Sequence, residues 1–82
     1  MLLQGEHSRF NKVTGCTFTK ESQRKGDICT GIDFNEGCCY SASGNHFFGF
    51  SDNKLTFGIQ VRPGVTDVIR GLDNLYKEVD NP

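Results

Sequence analysis

The sequence predicts an α+β fold: an antiparallel β-meander of about four to six strands with one C-terminal amphipathic helix packed on one face. Three observations carry this. Apolar residues recur at every second position along much of 13–62. Compact turn signals interrupt that run at 35–37, 43–45 and 51–54. From 63 to 79 the apolar spacing changes to three and four residues. The chain reads as one domain, 1–82, with no internal repeat and no low-complexity tract.

The first strand is "VTGCTFT", which puts Cys16 and Phe18 on one face. The polar run "TKESQRKGD" at 19–27 reads as an exposed loop. "ICTGIDF" then sets Ile28, Thr30, Ile32 and Phe34 on one face and Cys29, Gly31 and Asp33 on the other. "NEG" at 35–37 suits a short hairpin loop with Gly37 in the left-handed region. "CCYSA" is its returning strand, "SGN" the next turn, "HFFGF" the next strand and "SDNK" the turn after it. "LTFGIQVR" alternates cleanly, with Leu55, Phe57, Ile59 and Val61 inward and Thr56, Gly58, Gln60 and Arg62 outward.

Beyond Pro63, the residues Val65, Val68, Ile69, Leu72, Leu75, Tyr76 and Val79 fall on one helical face. The expected helix covers 63–79, with Leu72 and Leu75 buried against Phe57 and Ile59. It would cover one side of the sheet. The other side, with Gly31, Thr56, Gly58, Gln60 and Arg62, becomes a glycine-rich face where a second surface could approach closely. A chain of 82 residues buries only about 60–65% of its unfolded surface, so a second copy on that face or on a sheet edge is expected to supply core, as a homodimer.

Charge is balanced, with nine Lys and Arg against ten Asp and Glu and a net charge of −1. That argues against a dedicated nucleic-acid protein. "HFFGF" shares Phe48, Gly49 and Phe50 with the aromatic strand pattern of RNA-recognition sheets, but the βαββαβ order is missing. No apolar run is long enough to span a membrane, and the start "MLLQGEHSRF" lacks a leader pattern, so the expected location is the cytoplasm. A leader removed in maturation would instead make the protein secreted.

Six residues have the chemistry of zinc ligands: His7, Cys16, Cys29, Cys38, Cys39 and His46. Their spacing contains no C-x2-4-C knuckle, and Cys38 and Cys39 in a strand would point to opposite faces, so no metal is expected. The same geometry speaks against a bond between the adjacent pair. Four free thiols are expected in a reducing compartment, and a bond from Cys16 to Cys29 or Cys38 in an oxidising one. Cys39, His46 and Asp33 outline a Cys–His–Asp arrangement on neighbouring strands, without a nucleophile turn or oxyanion-hole motif to go with it. No phosphate loop or other cofactor motif is found. The leading expectation is therefore a small non-enzymatic protein acting through protein contacts, of the kind that phage or mobile elements use as inhibitors or adaptors. The alternatives are a thiol-dependent or hydrolytic enzyme using Cys39 and His46, and a secreted effector or toxin braced by disulfides.

Overall fold

The structure is a computed structural model, and it describes residues 1–5, 11–20 and 27–82. The candidate ligand His7 and most of the polar run at 19–27 lie outside the described residues.

Among the described residues there are ten strands and no helix. They are β1 (Leu2–Leu3), β2 (Lys12–Thr14), β3 (Thr17–Thr19), β4 (Thr30–Phe34), β5 (Cys38–Ser43), β6 (His46–Phe48), β7 (Leu55–Val61), β8 (Thr66–Arg70), β9 (Leu75–Lys77) and β10 (Val79–Asn81). Consecutive strands do not pair. Each strand lies beside the one three places along, giving sheets ordered β1-β4-β7-β10, β2-β5-β8 and β3-β6-β9. Every strand pair is parallel, as in Ile32 beside Ile59 and Ser41 beside Ile69. Such an order is that of a three-faced coil: three short strands make one turn, and the next turn stacks on it. A parallel pair needs a long return connection. Here the other two strands of each turn are that connection.

The antiparallel meander is thereby corrected. The turn segments at 35–37 and 43–45 are corners between faces rather than hairpin loops, while 51–54 lies in the β6–β7 loop, where Phe50 and Asn53 form an antiparallel bridge. At the β2–β3 and β5–β6 corners, Gly15 and Gly44 both have φ near 64°, a left-handed conformation that glycine adopts without a Cβ clash.

The C-terminal helix is corrected too, since 63–79 holds β8 and β9 and the start of β10. Three residues in this stretch have positive φ, Gly64 at 93°, Asp67 at 56° and Glu78 at 54°, and no α-helix accommodates that. The three-and-four spacing does not mark a buried face: Ile69, Leu72, Leu75 and Tyr76 are exposed, and only Val65, Val68 and Val79 of the seven are partly buried. Leu72 and Leu75 are exposed, at a corner and on an outer face, and do not pack on Phe57 and Ile59.

Inside the coil, equivalent positions of successive turns stack. Val13, Ile32, Phe34, Tyr40, Ala42, Phe47, Leu55 and Ile59 form the buried core. The rings of Phe18, Phe47 and Tyr76 lie nearly parallel, with centroids 5.2 and 5.1 Å apart. Each such contact adds about 0.5–1.5 kcal/mol beyond its buried area. Phe34 and Tyr40 stack across a corner at 4.6 Å.

A polar ladder runs beside the aromatic one. Asn45 and Asn74 are buried, 29 residues apart. The Asn45 carboxamide accepts from Cys16 N–H at 3.0 Å and donates to Val13 C=O at 2.9 Å. The Asn74 carboxamide accepts from Asn45 N–H at 3.0 Å and donates to Ala42 C=O at 2.9 Å. Each buried asparagine thus ties its corner to the previous one.

Candidate functional site

The residues proposed for thiol chemistry lie on different faces of the coil. Asp33 is on β4, Cys39 on β5 and His46 on β6, each in a different sheet. Each is already engaged. Asp33 takes two hydrogen bonds from Arg62, at 3.1 and 3.0 Å, and this contact and charge raise the guanidinium above its ordinary range. His46 rests edge-on against Phe48. Cys39 is bonded to Cys38. A Cys–His–Asp relay is not brought together here.

The glycines of the expected open face are not open. Gly31 and Gly58 are buried beneath the aromatic stack. A Cβ on Gly31 would sit 2.6 Å from the Phe47 ring, and one on Gly58 would sit 2.9 Å from the Tyr76 ring. Their missing side chains make room for rings of the same chain. Thr56 and Gln60 are half-buried on β7, and Thr56 ties neighbouring segments together, its hydroxyl accepting from Cys29 N–H at 3.2 Å and its carbonyl from Asn81 at 2.9 Å. Arg62 lies exposed just past β7, paired to Asp33.

Cys38 and Cys39 form a disulfide between adjacent residues, which corrects the reading that strand geometry keeps this pair apart and the pairings weighed for Cys16. Cys16 and Cys29 are free and partly buried. The reason lies in the backbone: Cys39 has φ 67°, so the pair does not follow the regular pleat that would send its side chains apart. Cys39 lines an open cleft of about 310 Å³ together with Lys12, Tyr40, Ser41, Asp67 and Ile69. A more polar cleft of about 420 Å³ lies beside the loop joining β6 to β7, lined in part by Lys20, Asp27, Asp52, Lys54 and Asp80. Its buried Lys20 is held by the coil itself, donating to the carbonyls of Asp27 at 3.1 Å and Lys54 at 3.4 Å. Among the described residues, no three His, Cys, Asp or Glu side chains gather in a way that could hold a metal ion.

The last turn, like the first with β1, β2 and β3, closes one end of the coil and is paired on one side only. β8, β9 and β10 are each the terminal strand of a sheet, paired on one side to β5, β6 and β7. The aromatic stack ends there: Tyr76 covers Phe47 with one ring face and is 37% exposed. Burial raises its phenol above the ordinary range, with the nearby Arg70 charge opposing. Ile69 and Leu75 are exposed on the outer faces of the same turn.

The reading of a chain without an internal repeat is corrected here, because the signal of this architecture is a repeat. "TGCTF", "SGNHF" and "LDNLY" stand 29 residues apart, each with Cys or Asn at its third position and an aromatic at its fifth. No protein-family model, curated protein or solved structure matches the chain.

Proposed function

We propose that the chain is a non-enzymatic binding protein that acts through protein contacts, and that its contact surface is the open turn built by β8, β9 and β10. The observation that carries this is the one-sided pairing of all three strands beside a half-covered aromatic ring. Unpaired strand edges are templates for another backbone. The occupant proposed is a second copy of the chain, related by a two-fold axis, because self-apposition closes both edges at once and covers Tyr76 with Tyr76. Arg70 and Lys77 stand among Asp67, Asp73 and Asp80 on this turn, so two copies meet with both signs of charge available.

Sedimentation at high micromolar concentration tests the proposal. The expected result is a dimer that Tyr76→Lys converts to a folded monomer. A wild-type chain that stays monomeric refutes self-pairing.

A second reading, a secreted effector braced by disulfides, draws support from the Cys38–Cys39 bond, since disulfides persist in oxidising compartments.

A further inference from the structure

We propose that Cys38 and Cys39 are a reversible two-electron thiol–disulfide centre, with sulfurs that the coil holds together in both oxidation states. Its reaction partner is a dithiol reductant, small or protein-borne.

The argument starts from the backbone one turn further along. Cys38 lies beside Thr66 and Tyr40 beside Val68, so Cys39 and Asp67 occupy equivalent positions in successive turns. Cys39 has φ 67° and Asp67 has φ 56°. Asp67 has no sulfur and no crosslink, yet its backbone takes the same left-handed turn. The left-handed conformation therefore belongs to the coil near the start of these strands, and the disulfide forms where the coil has already brought two thiols together.

Neighbouring contacts fix the pair from both sides. Tyr40 and Ala42 are buried in the core just beyond it, and the Tyr40 hydroxyl reaches back across the pair to donate to the Glu36 carbonyl. None of these contacts needs the sulfur–sulfur bond. Opening the bond leaves them in place and leaves the two thiols as neighbours. Access is present as well: both cysteines are only partly buried, and Cys39 forms part of the wall of the cleft shared with Lys12 and Asp67.

The exchange balances as follows. A thiolate of the reductant attacks Cys39 Sγ, and the Cys38–Cys39 bond breaks. Cys38 leaves as a thiolate and takes up a proton. The second thiol of the reductant, as thiolate, attacks the reductant's own sulfur in the mixed disulfide and releases Cys39, which is protonated in turn. The reductant ends as a disulfide, and two electrons and two protons have passed to the protein.

The test uses the full chain and phenylarsine oxide, a trivalent arsenical that bridges two close thiols. Under native conditions, tris(2-carboxyethyl)phosphine should expose the Cys38 and Cys39 thiols in addition to the free Cys16 and Cys29. The reduced chain should keep its circular dichroism spectrum and cooperative melt, and should bind one arsenical. Cys39→Ser should weaken that binding about 100-fold, the loss expected when a chelate becomes a single contact. The double variant Cys16→Ser/Cys29→Ser should bind as the parent does. Removing the reductant under mild oxidant should restore the Cys38–Cys39 bond. Loss of the cooperative melt on reduction would overturn the proposal by making the bond a structural brace. Arsenical binding that follows Cys16 and Cys29, or is absent in the folded reduced chain, would overturn it as well.

Discussion

Gly31 and Leu72 show how far a residue's meaning depends on its place in the coil. Gly31 is buried under Phe47, and an added Cβ would lie 2.6 Å from the ring and 2.8 Å from the Gly58 carbonyl. The ring is held between Phe18 and Tyr76 and cannot easily yield. Gly31→Ala should therefore destabilise the fold by roughly 1–3 kcal/mol through overpacking. Leu72 points into solvent at a corner, and Leu72→Ala should change stability by no more than about 0.5 kcal/mol. Urea titration of the two variants checks the contrast. A large loss at Leu72 would mean that the corner is covered. Composition alone ranks these substitutions the other way round, because leucine is the more common core residue.

At the scale of the element, the corners carry the specificity. Strands of two to seven residues have little stability of their own, and their stacking depends on the corners arriving in register. Asn45 supplies that register. Its carboxamide serves Cys16, Val13 and Asn74 from a buried position. Asn45→Ala leaves the Cys16 N–H and the Val13 C=O without those bonds, for an expected loss of roughly 2–4 kcal/mol. Native-state hydrogen exchange should show the Cys16 amide losing protection first. An unchanged Cys16 amide would mean that the ladder does not clamp the corner. The strands themselves were readable, since the segments assigned to β4, β5, β6 and β7 overlap those observed. Their pairing was not, because a tight turn reads the same in sequence whether the chain doubles back or rounds a corner.

For the whole molecule, the topology governs how the chain folds. Among the described residues every strand pair joins distant segments, from Leu2 beside Asp33 to Val79 beside Leu55, and the Phe50–Asn53 bridge is a single local contact outside the strands. Loop closure must precede any pairing. Refolding after denaturant dilution is expected on the order of milliseconds to seconds, as for other folds dominated by distant contacts. Stopped-flow fluorescence from the tyrosines would measure it, and completion within microseconds would contradict the parallel stacking. The same topology leaves the last turn with open edges, which is why the proposed contact surface belongs to the assembled coil and to no single segment.

By itself the sequence determined roughly where β4, β5, β6 and β7 and the turns between them fall, because alternation and turn chemistry act within a few residues. It also carried the repeat, in "TGCTF", "SGNHF" and "LDNLY", at a spacing too long for local periodicity to show. The apparent helix at 63–79 arose from the same limitation, since apolar spacing alone does not separate partly buried Val65, Val68 and Val79 from exposed Ile69, Leu72, Leu75 and Tyr76. Only the tertiary structure decided that the pairing is parallel, that Gly31 and Gly58 lie inside, and that Cys38 and Cys39 are joined. These outcomes depend on which turn stacks on which, and stacking is settled by contacts between residues far apart in the chain.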